Sequence, residues 1–299
     1  MREKLADRLL PVLAPVIFLV LWSGGFTAVR VGLADTGPLT FLVLRYLLVL
    51  LVLVPFALLL RPPLPASRTA WAHLVVVAVL VQILYFALVN VSLELGTSTA
   101  GVALIASLQP VLVALAAPRL TGEVVGAKRW AGLALGLAGA VLVIATRGDL
   151  RASPFGVLAA STAVLAISAG TVYERRFGVG EHPVTANLVQ YGVGFLALLP
   201  PAFLVERLRF HATPGLGLSL AYLAVGNSLV SITLLFAMIR RGEASRVSAL
   251  FFLVPPLAAL IALAVLHEAL PALAWVGMVL AALGVVLATR RGTAPQPAD

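Results

Sequence analysis

The sequence predicts an all-α polytopic membrane protein with ten transmembrane helices arranged as two inverted five-helix repeats. Three observations carry that prediction. Only 11% of the 299 residues are charged and 61% are hydrophobic, with a mean hydropathy of +1.08, whereas a soluble globular chain carries about 25% charged residues. Charge this sparse cannot cover a water-facing surface, so the outer surface must face lipid. Ten apolar runs are separated by charges or by Pro and Gly breaks. The chain also repeats itself at an offset of 145 residues, as from Glu123 to Glu268.

The first run, 9–29, follows Arg2, Lys4 and Arg8 as a signal peptide would, but it is too long for a cleaved segment and no A-x-A site follows. It reads as the first span. Runs 39–60, 71–93 and 97–117 come next, each near the roughly 20 residues a spanning helix needs. The fifth, 130–146, is short and closes a first repeat at 1–146. Runs 154–172, 184–205, 215–239, 245–266 and 270–289 form the second repeat, 147–291. No connector has the length of an extramembrane domain. The longest, 61–70, is stiffened by Pro62, Pro63 and Pro65, and 292–299 is expected to be a disordered cytoplasmic tail.

The repeat is clearest where Gly96–Gly139 returns as Gly242–Gly284: Gln109-Pro110 answers to Pro255-Pro256, Gly122-Glu123 to His267-Glu268, Trp130 to Trp275, Gly132 to Gly277 and Gly139 to Gly284. The same register pairs Ser23 with Ser168, Gly25 with Gly170, Arg30 with Arg175, Thr40 with Thr185 and Tyr46 with Tyr191, and only the middle of each half slips by one residue. A register held this far is a duplication. Five spans per half is an odd number, so the halves must enter the membrane from opposite sides, as in secondary transporters. Of the 21 Lys and Arg residues, alternate loops place fifteen on one side and five (Arg30, Arg147, Arg151, Arg207, Arg209) on the other. The positive-inside rule then puts both termini in the cytoplasm of an inner (plasma) membrane protein.

Composition also narrows function. The net charge of +9 is spread in ones and twos with no basic patch interleaved with aromatics, which argues against nucleic acid. With no cysteine there is no disulfide, thiol nucleophile or Cys-ligated metal. No G-x-S-x-G or H-E-x-x-H motif and no intramembrane Asp pair is present, so no catalytic residue, metal or cofactor is expected, and an intramembrane enzyme or scaffold is disfavoured. The implied partners are a small-molecule substrate and the bilayer. Monomer and homodimer carry no distinguishing sequence signal.

The repeated tail of each half, with small residues and Pro in the fourth helix, Gly-Glu or His-Glu at its end and a Gly-spaced fifth helix, resembles the drug/metabolite transporter superfamily. Within it the chain is similar over essentially its whole length to the ten-helix EamA-type exporters, among them the YddG-type aromatic amino acid exporters. The resemblance implies export of amino acids or related metabolites. It also implies a central cavity among helices one, three, four, six, eight and nine, with helices five and ten at the periphery. The small four-helix relatives carry a central Glu. All twelve carboxylates here fall at span ends or outside them, which argues against a multidrug antiporter built on such a group.

The mid-membrane polar residues are neutral: Gln82, Tyr85 and Asn90 on helix three, Ser107 and Gln109 on helix four, Ser161, Thr162 and Ser168 on helix six, and Asn227, Ser228, Ser231 and Thr233 on helix eight. Gln82 with Tyr85, and Asn227 or Ser228 with Ser231, are spaced to share a helical face, and such faces could line one cavity. The plain alternative is hydrogen bonding between packed helices, worth about 0.6 kcal/mol each. Trp22, Tyr85 and Phe251 could stack on a flat or apolar substrate. Arg45 is the only clearly intramembrane cation; its expected behaviour is snorkelling to the outer interface, and the sharper alternative is contact with a substrate carboxylate. Pro110 and Pro255-Pro256 interrupt corresponding spans and are candidate hinges. These features favour a zwitterion with an apolar side chain, then a flat organic cation, and last a nucleotide sugar, for which no central basic cluster is present.

Overall fold

Four of the helices begin with proline in the first turn, where its fixed φ and missing N–H cost nothing, and the spans follow from this punctuation. The structure is a computed structural model and describes residues 2–146, 153–178, 181–241, 244–266 and 270–289. The expected tail 292–299, the matched His267-Glu268, and the loop residues Arg147 and Arg151 lie outside the described residues. Among those described, ten helices are long and apolar enough to cross a membrane. They are α1 (Arg2–Leu33), α2 (Pro38–Leu60), α3 (Arg68–Glu94), α4 (Ala100–Thr121), α5 (Ala127–Ala145), α6 (Pro154–Phe177), α7 (Pro183–Glu206), α8 (Pro214–Arg241), α9 (Ala244–Ile261) and α10 (Ala272–Thr289). The side chains of Ser67, Ser98, Ser153 and Thr213 accept N–H groups from the first turns of α3, α4, α6 and α8, satisfying donors that a helix start leaves free. The fifth span is longer than its apolar run because Ala127, Lys128 and Arg129 already belong to the helix.

The outer faces carry exposed Leu58, Leu59, Leu165, Leu196, Phe203, Leu204 and Val279, the surface a bilayer requires. Two crossings on the pseudo-twofold axis join the repeats. At the first, α2 packs along α7 and the rings of Tyr46 and Tyr191 meet edge to face, 5.3 Å apart. At the second, α5 packs along α10 through Gly132, Gly136 and Gly139 against Gly277, Ala281, Gly284 and Ala288. A Cβ on Gly132 would stand 2.5 Å from the Ala288 backbone nitrogen. Only small residues allow this backbone approach. Beyond that partnership, among the described residues, α10 packs mainly on α9, and α5 on α4 and α9, which makes the pair peripheral.

Four segments depart from regular helix; the two π segments carry no sequence signal, whereas the two breaks fall beside the prolines that mark them. Residues Ala78–Tyr85 of α3 and Leu223–Ser231 of α8 are wound as π-helix. They begin at equivalent positions, 78 and 223, but the second is one residue longer (9 against 8 residues), which accounts for the one-residue slip in mid-repeat. The α4 helix is broken at Ser107–Leu108, between Thr99–Ala106 and Gln109–Thr121. At the equivalent place α9 passes through a 3-10 turn, Leu250–Leu253, before Val254–Leu266. Pro110 and Pro255 sit just past these breaks, where a missing N–H prevents the i→i−4 ladder from running through.

The ends are tied across the halves. At one end Glu206, at the close of α7, accepts the N–H groups of Leu39 (3.0 Å) and Thr40 (2.7 Å) at the start of α2. There Thr213 donates to Asp35 (2.6 Å) and Thr36 forms an isolated antiparallel bridge with Phe210. At the basic end Arg129 pairs with Glu123 (2.7 Å) and donates to Ser245 (2.9 Å).

Candidate functional site

A narrow, partly open cleft lies among α1, α3, α4, α6 and α9. Trp22 of α1, Tyr85 of α3, Ser107 and Gln109 of α4, Ile167 of α6, and Phe251 and Pro255 of α9 line it. The chain breaks at Ser107–Leu108 and Leu250–Leu253 put the two interrupted helices on the same cleft. Its aromatic wall is tightly assembled. Trp22 lies 5.4 Å from Phe251, edge to face, and 6.3 Å from Tyr85 with the planes nearly parallel. Phe18 and Phe86 complete the cluster around Trp22. Polar character comes from Ser107, whose hydroxyl donates to the Ala103 carbonyl (2.8 Å), and from Gln109, whose amide reaches Thr171 at 3.4 Å.

Of the residues singled out from the sequence, the cleft thus gathers Trp22, Tyr85, Ser107, Phe251 and Pro255. Pro110 lies just beyond the α4 break, and Pro256 follows in α9. The others lie elsewhere. Gln82 does not share a face with Tyr85: the π winding between them (i→i+5 bonding, more residues per turn) rotates the two side chains apart. Gln82 packs instead on α7, where a Cβ at Gly194 would meet its own at 3.2 Å. Ser168 is buried but donates to the Val164 carbonyl of its own helix, 2.6 Å away. No residue of α8 is among those that line the cleft. Asn227 stands against Gly25 of α1, Ser228 faces α2, and Ser231 is fully buried.

Arg45 departs most from expectation. It does not snorkel; it is 1% exposed and turns inward. Its Nε donates to Ser228 Oγ at 2.8 Å and its guanidinium lies over the Phe86 ring, 4.4 Å from the centroid. The reason is packing: α2 is held between α3, α7 and α8, so position 45 faces protein and not lipid. Two tyrosines clasp the π segments beside it. The Tyr46 hydroxyl donates to the Gln82 carbonyl (2.5 Å) and the Tyr191 hydroxyl to the Ser228 carbonyl (2.9 Å). These are equivalent bonds in the two repeats, satisfying carbonyls in a setting without water. No sequence signal marked the clasp beyond the matched tyrosines themselves.

Ten spans in inverted repeats, with paired helix breaks facing one internal cleft, define a polytopic membrane transporter. The model of the EamA-like transporter family matches residues 9–145 and again 154–290. The chain belongs to that family. Among its relatives, an uncharacterized inner membrane transporter of Escherichia coli (strain K12), YedA, is 24% identical over 94% of this chain and 92% of its own length. An uncharacterized transporter of Bacillus subtilis (strain 168), YvbV, is 27% identical over 93% and 91%, and a WAT1-related chloroplastic protein of Arabidopsis thaliana is 26% identical over 92% and 68%. A solved crystal structure superposes with a TM-score of 0.78 at 21% identity, covering 93% of this chain and 96% of the other. At that identity the likeness speaks to the fold alone. These similarities support a multi-pass inner membrane transporter.

Proposed function

We propose that this transporter exports small metabolites, namely amino acids with aromatic or other apolar side chains, by alternating access of its two repeats about the cleft. The observation that carries the reading is the pairing of an aromatic wall, Trp22, Tyr85 and Phe251, with the polar groups of Ser107 and Gln109 at the point where α4 and α9 are both broken. An apolar side chain matches the wall, while amide and hydroxyl groups suit an ammonium and carboxylate. Pro110, Pro255 and Pro256 serve as hinges in this reading. The distribution of Lys and Arg supports cytoplasmic termini. Among the described residues no carboxylate lines the cleft, which favours facilitated flux down a metabolite gradient over proton antiport.

A second reading, extrusion of flat organic cations, draws on the same rings, whose faces attract positive charge. Uptake into proteoliposomes of labelled phenylalanine, tryptophan and threonine beside methyl viologen, with and without an imposed pH gradient, separates the two. Saturable amino-acid flux indifferent to pH is expected. Methyl viologen flux driven only by the gradient would replace the first reading with the second.

A further inference from the structure

Arg45 is a buried cation with almost nothing to bind. A guanidinium carries five N–H donors, yet among the described residues the one acceptor that Arg45 engages is Ser228 Oγ, and its Nη2 is buried without a partner. Among the described residues no carboxylate forms an ion pair with it. Burying an uncompensated charge costs several kcal/mol, and one face of Phe86 offsets only part of that. The equivalent position in the second repeat, Gln190, is uncharged, so the duplication carries no matching cation. Polar atoms on the helices packed against α2 are also unmet: Ser23 Oγ, both Gln82 side-chain amide atoms, Gln190 Oε1, Asn227 Oδ1 and Ser231 Oγ are buried without partners. They come from α1, α3, α7 and α8.

We propose that Arg45 is the carboxylate station of the transport path and that the substrate class is compact monocarboxylates with an apolar body, amino acids included. The proposal rests on the export reading above and assigns its substrates their recognised group. The guanidinium fork accepts a carboxylate in two parallel bonds. Phe86 stands between the two parts of the path: its ring lies under the guanidinium and 6.3 Å from Trp22, which lines the cleft. Turning Phe86 aside would join the Trp22–Phe251 wall to Arg45, so that a ligand could present its ring to the wall and its carboxylate to the guanidinium. The same charge repels flat organic cations.

The test is thermal stabilisation of the purified full-length protein in detergent by L-phenylalanine and phenylacetate, against L-phenylalaninamide and chloride. Both carboxylates should raise the melting temperature, and the amide and chloride should not. Arg45→Gln, which installs the side chain found at the equivalent position, should abolish the carboxylate response. Arg45→Lys keeps the charge without the fork and should weaken apparent affinity about tenfold. Failure of both carboxylates to stabilise the native protein, an equal response to the amide or to chloride alone, or a response untouched in either variant overturns the proposal. Where Arg45→Gln does not fold, the Arg45→Lys comparison decides. Carboxylate stabilisation that depends on Arg45, with no uptake into proteoliposomes, would leave this site standing and sink the export reading.

Discussion

At the scale of single residues, the central pair Tyr46 and Tyr191 has the clearest energetic role. Each hydroxyl satisfies a carbonyl of a π segment, Gln82 and Ser228 respectively, where unmet backbone groups have no water to turn to. Removing one hydroxyl orphans a buried acceptor, at a cost of about 1–3 kcal/mol. Tyr46→Phe and Tyr191→Phe should therefore each lower the melting temperature of the purified protein in detergent by similar amounts, because they are equivalent. The double variant should depart from the sum, since the rings touch at 5.3 Å. Equal stability of both single variants with the native protein would show the hydroxyls to be idle. The aromatic and small polar cleft residues were legible from type and depth alone: Trp22, Ser107 and Phe251 lie in regular helix or at a proline break that the sequence announces. Gln82 and Ser231 were legible as buried polar groups, but their direction was not.

The reason lies at the scale of elements. Periodicity arguments assume about 3.6 residues per turn, and α3 and α8 abandon that winding over Ala78–Tyr85 and Leu223–Ser231. Apolar composition looks the same in either winding, so face assignments there fail while span assignments survive. Proline breaks behave differently, because a missing N–H is written in the sequence; the interruptions of α4 and α9 fell where Pro110 and Pro255 put them. The glycines of the α5–α10 crossing stand out in the sequence as a repeated, helically spaced set, but their packing on each other does not. The crossing gives a sharp contrast. Gly132→Ala would drive its Cβ against the Ala288 nitrogen and the Gly284 carbonyl, at 2.5 and 2.8 Å, both backbone atoms that cannot turn away. It should destabilise by about 1–3 kcal/mol. Gly192→Ala and Gly217→Ala meet nothing within 4 Å and should be neutral or slightly stabilising, as alanine favours helix over glycine by about 1 kcal/mol. Thermal melts of the three variants check the order, which a drop at Gly217 equal to that at Gly132 would reverse.

Across the whole molecule the two axial crossings, α2 with α7 and α5 with α10, join the repeats, and the broken helices α4 and α9 meet at the cleft between them. Ties at both ends, Glu206 with Thr40 and Arg129 with Ser245, fasten the two halves to each other. In the alternating-access reading proposed above, one set of ties opens while the other holds, and the cleft meets water from each side in turn. Because the chain contains no cysteine, a single introduced thiol is a unique reporter. Ser107→Cys is nearly isosteric and sits on the cleft wall. The most direct test is its reaction with a membrane-impermeant thiol reagent, applied to either face of oriented vesicles with and without L-phenylalanine. The account predicts labelling from both faces, slowed by phenylalanine, with Gly217→Cys on the outer surface of α8 unaffected by the ligand. Labelling of Ser107→Cys from neither face, or labelling indifferent to phenylalanine in a variant that still transports it, would contradict the claim that the substrate passes through this cleft.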